Sequence, residues 1–93
     1  MFKLYCLSFH YRVRWSFSKS FYCFSDLTKW LHNMNFISFW GDDTKYYKVV
    51  SPAGNIQYIE VTSSFFQKRN FLANVSLGYI CNKLSYKLVL LQI

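Results

Sequence analysis

The sequence predicts a small α+β domain: an antiparallel β-sheet of about five strands with one or two helices packed on one face. Three observations carry this. The chain opens with a long alternation of apolar and polar residues. A stretch near residue 30 has helical spacing. Turn-forming residues then separate a pair of β-branched, aromatic runs. Composition agrees, with 10 Phe, 8 Tyr and 3 Trp against 3 Gly, 1 Pro and only Ala53 and Ala73 as alanines. Scarce alanine removes the best helix former, and aromatic rings favour pleated, half-buried surfaces.

Residues 3–18 alternate with period two. Tyr5, Leu7, Phe9, Tyr11, Val13, Trp15 and Phe17 fall on one side, which is expected to face the core. Ser8, His10, Arg12, Arg14, Ser16 and Ser18 fall on the other, wet side. Strands usually run about 3–10 residues. A bend or bulge near residues 8–10 is therefore expected, or else two strands with a tight link. Residues 19–24 read as a further short strand. Ser25 then reads as a helix N-cap, with Asp26 in the first turn. Leu27, Trp30, Leu31 and Met34 follow at helical spacing and should face the sheet. Asn33 or Asn35 is expected to end the helix in a left-handed conformation.

Residues 36–40 read as a strand and residues 41–44 as a turn. Residues 45–51 and 56–63 form a hairpin around Pro52-Ala53-Gly54-Asn55, where proline presets φ and Gly54 supplies a positive φ. With Val50 opposite Ile56, Lys48 lies diagonally near Glu60. Val49, Ile59 and Val61 should join the core. The last third is ambiguous. Ser64 with Gln67 resembles a capping box, so a short helix over residues 65–72 is expected, followed by two strands. Phe66, Ala73, Leu77, Ile80, Leu84, Leu88 and Leu91 fit a helical period as well; Gly78 and the β-branched content weigh against a long helix.

Ninety-three residues make a single domain over residues 1–93, and no repeat, linker or low-complexity segment divides it. The cysteines, Cys6, Cys23 and Cys81, are odd in number and show no C-x-x-C spacing. That pattern argues against a disulfide framework and for a reducing, cytoplasmic setting, the host cytoplasm if the gene is viral or from a phage. Phe, Tyr, Lys, Asn and Ile are also what AT-rich coding sequence produces, an association with phages, viruses and AT-rich bacteria. Residues 1–9 are apolar, but no small-residue cleavage site follows, and no apolar run is long enough to span a bilayer. Asn74-Val75-Ser76 matches a glycosylation sequon that an intracellular chain would not use.

The residues do not read as those of an enzyme. Asp26, Asp42, Asp43 and Glu60 are the whole acidic complement, and each has a local structural role: a helix start, a turn, or a strand with a lysine partner. His10 and His32 lie in no nucleophile signature, and no metal-ligand spacing occurs. Three ungrouped glycines exclude a phosphate loop. No cofactor is expected.

The formal charge is +7. That favours polyanions or acidic protein surfaces. His10, Arg12 and Arg14 would project from one strand face, with Lys19 beyond them and Lys68 and Arg69 extending the field. Guanidinium forks suit phosphate and stack on bases. The abundance of rings also exceeds what a small core encloses, which points to a partner surface. The expected function is non-enzymatic binding through protein–protein contact, in the manner of a phage- or virus-encoded inhibitor of a larger nucleoprotein machine, with homodimerisation as one form. The alternative is direct binding of RNA or single-stranded nucleic acid by the basic sheet face.

Overall fold

The protein's structure, a computed structural model, describes residues 1–8, 13–34, 42–64 and 69–84. The elements run β1 (Phe2–Ser8), β2 (Arg14–Phe21), α1 (Phe24–Asn33), β3 (Asp42–Val50), β4 (Ile56–Ser64), β5 (Arg69–Val75) and α2 (Leu77–Leu84). The strands form one sheet in the order β2-β1-β3-β4-β5, with every neighbouring pair antiparallel. The fold is the α+β arrangement that alternation and helical spacing foretold.

The opening alternation resolves into two strands rather than one bent strand. β1 and β2 pair from Phe2↔Phe21 to Ser8↔Arg14, with the link between them lying mostly outside the described residues. A bulge interrupts the pair, and it sits elsewhere than expected. Leu4 faces Lys19 and Tyr5 faces Phe17, so Ser18 is the extra residue. A bulge of one residue reverses the alternation. Phe21 and Lys19 therefore share a face with Leu4, whereas Phe17 and Trp15 share the other with Tyr5 and Leu7.

Both faces of β1 carry apolar side chains, and this dictates two cores. Phe2, Leu4 and Cys6 align with Tyr47 and Val49 of β3, Ile59 and Val61 of β4, and Leu72 of β5. α1 packs on this face through fully buried Leu27 and Leu31, with Trp30 and Met34 alongside. Val49, Ile59 and Val61 are in the core as expected; Leu4, Phe21 and Tyr47 join them. Leu7, Val13 and Tyr46 form a smaller cluster on the opposite face, where α2 packs through fully buried Ile80. The two helices thus take opposite faces instead of sharing one. Each fully buried leucine or isoleucine contributes roughly 1.5–3 kcal/mol.

α1 begins at Phe24, not after Ser25. Cys23 is the extended N-cap residue (φ −133°, ψ 156°), and its carbonyl accepts from the Leu27 amide at 3.4 Å. Asp26 lies in the first turn, where its charge suits the helix dipole. Asn33 stays helical rather than left-handed, and Asn35, the other expected end, lies outside the described residues. Met34 is extended (φ −67°, ψ 129°), with its amide donating to the Leu31 carbonyl at 3.4 Å.

The β3–β4 hairpin has the foreseen register, Val50↔Ile56. Its turn is closed by Ser51 N–H to the Asn55 carbonyl and Gly54 N–H to the Ser51 carbonyl, each 2.9 Å, while Gly54 takes φ +89°. β3 starts at Asp42, so Asp42, Asp43 and Thr44 are strand and not turn; pairing with β4 as far as Asp42↔Ser64 holds them extended. The strand expected over residues 36–40 lies outside the described residues.

The C-terminal third departs most. Arg69–Val75 is a strand where a helix over residues 65–72 was expected, and Leu77–Leu84 is a helix where a strand was expected. β4 supplies a ladder partner for every residue of β5. Ser76 then caps α2: its Oγ accepts from the Tyr79 amide at 3.1 Å and its carbonyl from the Ile80 amide at 3.2 Å. Residues 85–93 lie outside the described residues.

Candidate nucleic-acid interface

α2 covers only part of its sheet face. It packs over the end near Leu7, Val13 and Tyr46, with Trp15 and Tyr58 along its border. Beyond that border the strands place Phe17, Tyr5, Lys48 and Tyr58 as registered neighbours in one row from β2 through β1 and β3 to β4. The bulge at Ser18 brings Phe17 into this row. Phe17 is 52% exposed and Tyr5, Lys48 and Tyr58 are half-buried. The next row outward holds exposed Lys3, half-buried Val50 and exposed Ile56.

The rings fall into two pairs. Tyr5 and Phe17 lie 5.6 Å apart between centroids and 58° apart in plane. Trp15 and Tyr58 lie 5.7 Å apart at 40°. The Lys48 ammonium sits between the pairs, 4.8 Å from the Tyr5 centroid and 5.4 Å from the Trp15 centroid. Both distances are within cation–π range. Burial pushes the Lys48 pKa down from its ordinary value, and no carboxylate offsets it. The register places Glu60 on the diagonal from Lys48, as expected, and Glu60 accepts from Tyr46 directly across β3–β4. Burial first, then that carboxylate, pushes the Tyr46 hydroxyl up to about 12. Glu60 keeps its charge in this contact, so the described charges of the face are Lys48 and Lys3 against one carboxylate.

No protein-family model, curated protein or solved structure matches this chain.

Of the residues singled out from the sequence, Arg14, Lys19 and Arg69 are among the described residues. Arg14 and Lys19 share β2 and, across the bulge, the α1 face. Arg14 is exposed opposite Ser8, while the Lys19 ammonium lies 5.4 Å from the Phe21 ring and 5.8 Å from the Trp30 ring, against α1. Arg69 sits on β5, the far edge of the sheet. His10, Arg12 and Lys68 lie outside the described residues. Sequence reasoning missed Lys3, Tyr5, Phe17, Lys48 and Tyr58 as a set. Alternation assigned Tyr5, Trp15 and Phe17 to the core, and the β1–β3 pairing that carries Lys48 to Tyr5 leaves no local trace. One signal was available: Tyr and Trp carry polar tips that resist full enclosure.

Cys6 and Cys23 have polar neighbours of their own. Burial raises the Cys6 thiol, offset in part by Lys45 and by a hydrogen bond from Tyr47. Exposed Cys23 donates to Asp26 Oδ2 at 2.9 Å. Among the described residues, no three His, Cys, Asp or Glu side chains gather into a metal-sized cluster.

Proposed function

We propose that this chain is a binding protein that takes single-stranded nucleic acid on the open part of its α2 face. The observation that supports the reading is the half-exposed Lys48 ammonium set between two ring pairs on a sheet. Bases stack on such rings with roughly 1–3 kcal/mol each, whatever their identity. A net charge of +7 supplies the long-range attraction for phosphate. Three free cysteines suit a reducing, cytoplasmic setting. Titration of oligo(dT) and oligo(rU), followed by intrinsic tryptophan fluorescence, tests it. Affinity should fall log-linearly with salt, and Phe17→Ala should weaken binding about 5- to 150-fold. Absence of binding at low salt, or equal preference for duplex, overturns it.

Ile56 favours a second reading. It is 55% exposed and adjoins Val50, an aliphatic extension of the platform for which a phosphate backbone has no use. Docking of a protein partner there, with the chain acting as an inhibitor or as a homodimer, would give salt-insensitive binding that Ile56→Asp abolishes and Lys48→Gln does not. Sizing with light scattering distinguishes a second copy from another protein.

A further inference from the structure

Resting on the nucleic-acid reading, we propose that the bound strand runs across the β-strands and makes a short contact: one base at the Tyr5–Phe17 pair, one at the Trp15–Tyr58 pair, and the phosphate between them at Lys48. Three features of the surface dictate this path. The first is the row itself. Phe17, Tyr5, Lys48 and Tyr58 are cross-strand neighbours, so three rings and the cation follow one another along the hydrogen-bonding direction of the sheet, and the Trp15 ring reaches Tyr58 from the adjoining row. At about 4.8 Å per strand, the row from β2 to β4 spans roughly 14 Å. That suits about two or three bases, a number that RNA-binding sheets of similar width stack.

The second feature is what borders the row. On one side the next registered positions include Leu7 and Tyr46, buried beneath α2. On the other are Lys3, Val50 and Ile56, which offer one exposed ammonium beside Tyr5 but no ring on which a base could stack. A strand running parallel to β1 would leave the rings after one base and meet the helix.

The third feature is the order of the groups. The ammonium lies between the ring pairs and within cation–π range of one ring from each. A phosphate linking two stacked bases falls between those bases. Half-burial raises the strength of a charge–charge contact there above its value in open water. The platform reads no base edge, so it should tolerate any sequence.

The test uses the whole chain with (dT)2, (dT)3, (dT)4, (dT)8 and (dT)15, monitored by tryptophan fluorescence. Affinity per binding site should level off by (dT)3 or (dT)4. Lys48→Gln should reduce the slope of log affinity against log salt by about 0.7, the loss of one phosphate contact on a single strand. If Lys48→Gln lowers the melting temperature, the native protein with a (dT)2 whose single linkage is a neutral methylphosphonate gives the same information. Against unmodified (dT)2, that change should cost the same slope. A plateau only beyond (dT)8, or an unchanged slope in both arms, overturns the crosswise path while the broader reading stands. No binding by (dT)15 at low salt overturns both.

Discussion

Gly54 and Gly78 are opposite cases of one residue type. Gly54 has φ +89° in the β3–β4 turn, and a Cβ there would meet nothing within 4 Å. The penalty for Gly54→Ala is therefore purely one of backbone conformation, about 1–2 kcal/mol. Gly78 lies in the first turn of α2, and its nearest neighbour to an added Cβ is Ser76 Oγ at 3.8 Å. Gly78→Ala should stabilise the protein by about 0.5 kcal/mol. Thermal melts of both variants check the pair; shifts of the same sign would contradict the account. Tyr46 gives a pH prediction. Its hydroxyl is raised from 10.0 to about 12 by burial and by Glu60. The folded value is the higher one, so the fold favours the neutral phenol. That stabilisation is complete below pH 10 and is lost as pH rises from 10 towards 12. Urea midpoints across this window should fall more steeply for the native chain than for Tyr46→Phe. Parallel profiles would rule the contact out.

At the level of elements, Leu27 and Leu31 tie α1 to the sheet with no exposure at all. Leu27→Ala should cost about 2–5 kcal/mol, a large part of the stability of a domain this size. Ser76→Ala should cost about 1 kcal/mol by removing the α2 cap. Ser18 makes a sharper contrast. Its side chain is exposed, so Ser18→Ala should change stability by under about 0.5 kcal/mol. Deleting it would force Trp15 and Phe17 towards the α1 face or Phe21 out of the core, at about 2 kcal/mol or more. Chemical denaturation of the substitution and the deletion side by side decides this. What was legible in the sequence follows from the same logic. The α1 stripe and the Ser51–Asn55 turn are determined by residues close in the chain. The last third was not legible because Ala73, Val75, Leu77 and Tyr79 alternate while Leu77, Ile80 and Leu84 share a helical face. Only the Ser76 cap and the ladder offered by β4 separate the two. The platform was least legible, since it needs an unmarked bulge and a long-range pairing.

For the whole molecule, eleven basic residues against four acidic ones act at a distance, whichever surface makes contact. Association with any polyanion should slow as salt rises, whereas Phe17→Ala should act on dissociation. Stopped-flow kinetics at several salt concentrations separates these effects. The sheet also has a line of weakness. β1 joins β3 through four registered pairs, Lys3↔Val50 to Cys6↔Tyr47, whereas the β1–β2 and β3–β4 hairpins have seven and nine. The sheet is a two-stranded hairpin and a three-stranded meander zipped along a brief seam, and Tyr5 and Lys48 face each other across it. A ligand seated on both would act as a staple, and amide hydrogens at residues 3–6 and 47–50 would exchange more slowly once it is bound.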